Sequence, residues 1–241
     1  MVYHVLNRGV GRRTIFEKDQ DFLAFERVVE ETLRTCRMRI CAYCLLSNHW
    51  HGVLWPERDG DLAAFMQQMT NMHVKRWKEY RHEVGYGHLY QGRYKCFPVE
   101  TEAYFYQVVR YVERNALRAN LVSCAEAWLW SSLRRGERED PAFPILSEWP
   151  LPRPANWLEI VNRPQTAAEL EALRQCVQRG SPFWKCRLDC KDREAIENRT
   201  VVACSRKTKE RIVRRQDVTR LPKLPAYPGF GGCDLLFLAF D

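Results

Sequence analysis

The chain has 241 residues, 46% of them hydrophobic, with 11 Phe, 10 Tyr and 8 Trp, so it can bury a sizeable core in one domain or in one domain plus an appendage. A formal charge of +8 favours a polyanionic partner, nucleic acid ahead of an anionic membrane surface. No apolar run is long enough to span a bilayer and the N-terminal MVYHVLNRGV lacks a signal-peptide core, which points to a cytoplasmic protein with no membrane partner and makes a disulfide framework from the ten cysteines unexpected.

Tyr3 to Arg8 reads as a strand, and Gly9-Val10-Gly11-Arg12-Arg13 as a basic turn. From Asp19 to Arg37 the residues Phe22, Phe25, Val28, Val29 and Thr32 keep a helical period, with Asp19 or Asp21 available as a cap. Met38 to Leu46 is a second strand. Ser47-Asn48 connects it tightly to a third, His49 to Trp55, which Pro56 closes. Cys41 and Cys44 resemble a metal-binding pair, but three residues apart on a strand they face opposite sides, so one is expected in the core and the other under a helix. Asp61 to Tyr80 is a long amphipathic helix with Lys75, Arg76 and Lys78 on its exposed face, and Gly85 and Gly87 follow it. Leu89 to Val99 reads as a fourth strand with Arg93 and Lys95 on one face. Thr101 caps a helix from Glu102 to about Leu117. The order β-α-β-β-α-β plus one further helix predicts an α+β, ferredoxin-like (RRM-like) antiparallel sheet with helices on one face.

After Trp130-Ser131-Ser132 the composition changes. Arg134 to Asp140 reads as a charged loop, Pro144 to Pro154 is punctuated by proline, and helical segments occupy Asn156 to Arg179, with a capping box at Thr166 to Glu169. Arg206 to Arg215 is a basic run, and Leu221 to Gly232 is rich in Pro and Gly. The expected division is a catalytic domain over 1–135, a helical C-terminal extension over 136–189 and a basic, poorly ordered tail over 190–241.

The chemistry gathers around His49 and His51. Two residues apart on a strand, their imidazoles share one face and can share a divalent ion. On the last helix of the plan, Tyr104, Gln107, Tyr111, Asn115 and Arg118 form one stripe, beside an apolar stripe of Phe105, Val108, Val109, Val112 and Ala116. The polar stripe is free to lie across the sheet edge beside His49 and His51. There the Tyr111 hydroxyl can attack phosphorus and Asn115 offers its amide oxygen as a third metal ligand, a hard donor that favours Mg²⁺ or Mn²⁺. Arg8, Arg12, Arg13, Lys75, Arg76, Arg93, Lys95 and Arg118 are the candidate nucleic-acid contacts, and Tyr3 and Tyr94 are candidates to stack on unpaired bases.

Several blocks resemble the REP-associated tyrosine transposases, relatives of the single-strand transposases of small insertion sequences. They are Tyr3-His4-Val5-Leu6-Asn7-Arg8-Gly9, Asn48-His49-Trp50-His51 (similar to the HUH motif), Tyr90-Gln91-Gly92-Arg93-Tyr94-Lys95, Phe97-Pro98-Val99-Glu100, Tyr111-Val112-Glu113-Arg114-Asn115, Arg118-Ala119-Asn120-Leu121-Val122 and Trp128 to Ser132. They fall in family order over roughly residues 1–180. The resemblance implies one catalytic tyrosine, Tyr111, and a divalent ion held by His49, His51 and Asn115. It also implies cleavage of single-stranded DNA beside a hairpin, leaving a 5′-phosphotyrosine and a free 3′-OH, by a protein that works as a monomer.

Ser47 and Ala116 stand where the family pattern has proline, and neither change removes a catalytic group. After Pro182 the chain departs from the family's tail; it is cysteine-rich and ends in the apolar Leu235 to Phe240, and one hypothesis for this is a shifted reading frame. Two other readings compete. One is a non-catalytic nucleic-acid-binding protein derived from such an enzyme. The other is a phosphodiesterase that uses water and keeps Tyr111 for packing.

Overall fold

The computed structural model describes residues 1–137 and 145–166. Strand β1 (Val2–Arg8) leads through a short 3-10 turn into α1 (Asp19–Thr35), then β2 (Arg39–Leu46) and β3 (His49–Trp55). Helix α2 (Asp61–Tyr80), β4 (Lys95–Val99) and α3 (Glu102–Glu113) follow, then the short helices α4 (Asn115–Arg118), α5 (Ser132–Glu137) and α6 (Trp157–Asn162). The sheet order is β2-β3-β1-β4 and every pairing is antiparallel, which is the ferredoxin-like arrangement.

Helices α1 and α2 share one face. Phe22, Phe25 and Val28 from α1 and Phe65, Met66, Met69 and Trp77 from α2 pack with Val5, Tyr43, Leu45, Trp50 and Leu54 of the sheet. Tyr3 and Tyr94 are half-buried against this same core. The other face is not left open. Helix α3 crosses it, with Phe105, Val108, Val109 and Val112 packed on Val2, Cys44, Leu46, Val53 and Val99. This replaces the expected position of that helix at the sheet edge. The cause is legible in β2: RICAYCLL is apolar without alternation, and such a strand needs cover on both faces.

Local departures have local causes. The register of β2 on β3 shifts between Ile40 and Ala42, a bulge that lets Cys41 join Cys44 in the core beneath α3 instead of facing away from it. Burial pushes both thiols up to about 12, so they stay protonated and inert at neutral pH. Strand β4 starts at Lys95 rather than Leu89; Tyr90 makes a single bridge to Gly9, and its hydroxyl is drawn into the other core, where it accepts from Trp50 Nε1 at 3.1 Å. The stretch read as a charged loop begins as helix α5. Arg135 there donates from Nη2 to Glu26 Oε2 at 2.6 Å, and the Tyr43 hydroxyl donates to the other oxygen of that buried carboxylate at 2.8 Å. Two partners on one buried carboxylate offset its desolvation and lock α5 to α1 and β2.

The packing continues past residue 135. Trp149, Trp157 and Val161 pack against α3, and Glu113 accepts from Trp157 Nε1 at 2.7 Å and from the Ser132 hydroxyl at 2.8 Å. Arg114 donates to the last carbonyls of α6, those of Val161 and Asn162. Residues 167–169 of the expected capping box, the remainder of the helical extension, the tail over 190–241 and its basic run lie outside the described residues.

The cores hold several neutral imidazoles. His73 Nδ1 and the Tyr90 hydroxyl are hydrogen-bonded at 2.7 Å, and burial pushes the His73 pKa down to about 3. An unfolded histidine titrates near 6.5, so below that pH the unfolded chain takes up the proton first. The stabilising effect of keeping His73 neutral is complete above pH 6.5 and declines as pH falls toward 3. We expect His73→Asn, which retains an acceptor near the Nδ1 position, to show a shallower loss of urea midpoint between pH 7 and pH 4.5 than the wild type. Parallel slopes would assign the acid sensitivity to other groups.

Candidate active site

The site is assembled where α3 crosses the sheet. On β3 the odd positions His49, His51 and Val53 face α3, while Trp50 and Leu54 face the α1–α2 core. Trp50 is therefore the anchor of the motif: buried, it fixes the strand so that both flanking imidazoles project to the same side. The β1 register sets Arg8 opposite His49 and Leu6 opposite His51, and β4 sets Lys95 opposite Leu6.

Thr101 starts α3 by accepting from the Tyr104 backbone N–H at 3.2 Å. The buried valines then dictate which side faces the sheet, and Tyr111 comes down over the histidines. Its ring lies edge-on to His51 with centroids 5.7 Å apart. At Arg114 the helix tightens, and α4 carries Asn115 and Arg118 before Asn120, with φ 55°, ends it in the left-handed region. The Arg118 guanidinium sits over the Tyr111 ring at 5.0 Å and donates from Nη2 to Asn115 Oδ1 at 2.7 Å. Asn115 is 1% exposed, and among the described residues its Nδ2 has no hydrogen-bond partner. A buried amide donor left unsatisfied costs about 1–3 kcal/mol, and such atoms in functional clefts are commonly completed by a ligand.

The two motif histidines differ in setting. His49 lies at the rim, 5.2 Å from His51 between ring centroids, with Nδ1 2.6 Å from Asn48 Oδ1. Asn48 is itself oriented, donating from Nδ2 to the Arg12 carbonyl at 3.3 Å. Since an amide oxygen only accepts, His49 carries its proton on Nδ1 and presents a lone pair at Nε2. His51 is 4% exposed, and its Nδ1 lies 3.0 Å from Nε2 of His4. Burial, reinforced by the positive charges of Arg8 and Arg118, pushes His49 down to about 4. Burial and the neighbouring histidines and arginines hold His51 well below the usual imidazole range. Both rings are thus neutral at pH 7, the state in which imidazole ligates a metal. Among the described residues no group of three His, Cys, Asp or Glu side chains is placed to hold a metal ion. A cation bound here would have to draw on the two imidazoles and the Asn115 amide oxygen, which has a second lone pair beside the one used by Arg118.

The structure brings Tyr111, His49, His51, Asn115, Arg8, Lys95 and Arg118 together on one face. Lys95 is pushed down by burial and by the charge of Arg8. The remaining candidate cations lie elsewhere. Arg12 and Arg13 form the turn beside Asn48, and Arg13 pairs with Glu83. Arg93 is in the exposed bend before β4. Lys75 and Arg76 are on α2, across the sheet, and Arg76 makes a two-pronged contact to Glu31. The sequence alone does not mark His4 as a site residue. It stands in the Tyr3 to Gly9 block, but a lone histidine on an apolar strand carries no spacing signal.

Residues 1–115 match the family model described as IS200-like transposase. A solved structure of a REP-associated tyrosine transposase bound to a REP hairpin is similar over 69% of this chain and 93% of that one, with 16% sequence identity and a TM-score of 0.48. No curated protein matches the chain. Among the described residues no helix is long and apolar enough to cross a membrane.

Proposed function

We propose that this protein, whose residues 1–115 match the family model described as IS200-like transposase, cleaves and rejoins single-stranded DNA beside a hairpin through a covalent 5′-phosphotyrosine on Tyr111. The observation that carries the reading is the placement of the Tyr111 ring 5.7 Å from His51, under the Arg118 guanidinium. The hairpin as substrate is supported by the block resemblance of the sequence to REP-associated tyrosine transposases.

The Tyr111 oxygen attacks phosphorus, an O–P bond forms, and the bond from phosphorus to the 3′ oxygen breaks. The phenol proton is lost to solvent and the departing 3′ oxygen takes one up, so protons balance. The reverse step, with a second 3′-OH as attacker, rejoins a strand without an external energy source. His49, His51 and Asn115 would hold Mg²⁺ or Mn²⁺, which when bound polarises a phosphate oxygen and stabilises the charge that builds during transfer. The unpartnered Asn115 Nδ2 can donate to a phosphate oxygen. Arg118 orients Asn115 and places its guanidinium over the tyrosine ring, and Arg8 and Lys95 supply positive charge at the mouth of the site.

The test is a labelled single strand carrying a hairpin and an unpaired flank, incubated with protein and Mg²⁺ or Mn²⁺ and resolved under denaturing conditions. A labelled protein band that requires the metal and disappears in chelator supports the proposal. Cleavage without adduct supports a water-using phosphodiesterase, and binding with neither supports a non-catalytic nucleic-acid-binding protein.

The charge map gives a second expectation. Arg8→Glu and Lys95→Glu should weaken DNA binding and lower the salt slope by about one for each phosphate that is no longer neutralised. Lys75→Glu, on the far face, should weaken it only where the hairpin stem wraps round to α2. Equal effects from all three would extend the binding surface across both faces of the sheet.

A further inference from the structure

Beside the two motif histidines lies a third. His4 is on β1, 2% exposed, opposite Val53 of β3 and Phe97 of β4. Its ring stacks on His51 with centroids 5.3 Å apart and an interplanar angle of 17°, and it is flanked at 6.0 Å by both Phe97 and Tyr111. In this packing its Nε2 lies 3.0 Å from His51 Nδ1.

We infer that His4 is a positioning residue for the metal site: its Nε2 accepts a hydrogen bond from His51 Nδ1 and so fixes His51 in the tautomer that leaves Nε2 open. The inference rests on the proposed role of His49 and His51 as metal ligands and deepens it. A neutral imidazole has one N–H and one lone pair, so the contact between His4 and His51 contains a single proton. With that proton on His4, His51 would present an N–H at Nε2 and could not ligate. With it on His51, Nε2 is a donor atom for a cation. The adjacent ligand shows the same device with no ambiguity, since His49 Nδ1 faces the amide oxygen of Asn48, which only accepts. Each motif histidine therefore has the same ring atom held from behind, one by the turn residue next to it in sequence and one by a strand neighbour in space. Outer partners of this kind fix the ring angle and the tautomer of a ligating histidine, and their loss typically costs about 10–100-fold in metal affinity. His4 itself is not a ligand, because the nitrogen facing the site is spent on His51.

The test reads the tautomer directly. Protein labelled with ¹⁵N at histidine, free of metal, is examined by long-range ¹H–¹⁵N correlation as wild type, His4→Leu and His4→Gln, and Mn²⁺ binding is followed by electron paramagnetic resonance. In the wild type His51 should be protonated at Nδ1. His4→Leu should move that proton toward Nε2, leave the His49 tautomer unchanged and weaken Mn²⁺ binding by about 10–100-fold. His4→Gln, whose Oε1 reaches the position of Nε2 and can only accept, should restore both. Protonation of wild-type His51 at Nε2, or a His4→Leu protein with unchanged tautomer and Mn²⁺ affinity, would overturn the inference. A wild-type protein with the Nδ1–H tautomer that fails to bind Mn²⁺ supports the role of His4 and overturns the metal reading. The wild-type tautomer and the His4→Gln protein decide the matter even where His4→Leu does not fold.

Discussion

Tyr111→Phe should abolish the covalent protein–DNA adduct and reduce strand cleavage by at least about a thousandfold, as loss of the nucleophile does in other covalent enzymes. The variant removes one oxygen and keeps the ring. The edge contacts to His51 and His4 and the stacking of Arg118 on the ring all survive, so the packing of α3 on the sheet is unchanged. Its melting temperature should stay close to that of the wild type, because one hydroxyl contributes only about 1 kcal/mol. DNA affinity should be retained as well, since phosphate contacts by the surrounding cations dominate binding. Denaturing gels with 5′- and 3′-labelled strands, run beside thermal melts, separate the possibilities. A Tyr111→Phe protein that still cuts but forms no adduct identifies water as the nucleophile and Tyr111 as packing.

The strand and helix periods in the sequence located every element that builds the site. The helical pattern from Asp61 to Tyr80 matches α2 to the residue, and the His49 to Trp55 run matches β3. That His49 shares a strand face with His51, and Tyr111 a helix face with Asn115, is also legible, because spacings of two on a strand and four on a helix fix which side chains share a face. The family model over residues 1–115 agrees with the block resemblance. What was not legible depends on contacts between elements distant in the chain. The place of α3 over the sheet, rather than at its edge, is decided by Val2, Val53 and Val99 on three separate strands. The bulge that turns Cys41 inward arises from register against β3, which composition does not report. The contact of His4 with His51 depends on the β1–β3 register, and the contact of Arg76 with Glu31 joins residues 45 apart in the chain.

Replacement of either motif histidine by alanine should cost at least about a hundredfold in cleavage while leaving most of the DNA affinity, since the metal site serves the transfer step and the cations serve binding. The two variants should nevertheless differ in a second property. His49 sits at the rim and its partner Asn48 can turn to solvent, so His49→Ala should be near neutral for stability. His51 is buried, and its removal leaves the His4 Nε2 facing a cavity with no hydrogen-bond partner. An unsatisfied buried polar atom together with poorer packing costs about 1–3 kcal/mol, so His51→Ala should melt several degrees lower. The pair of variants thus separates catalysis from folding: equal loss of cleavage with unequal loss of stability assigns the shared defect to the metal site. Cleavage by both at the wild-type rate, with Mg²⁺ or Mn²⁺ present or chelated, would remove the cation from the reaction and leave Tyr111, Asn115 and Arg118 to carry the transfer alone.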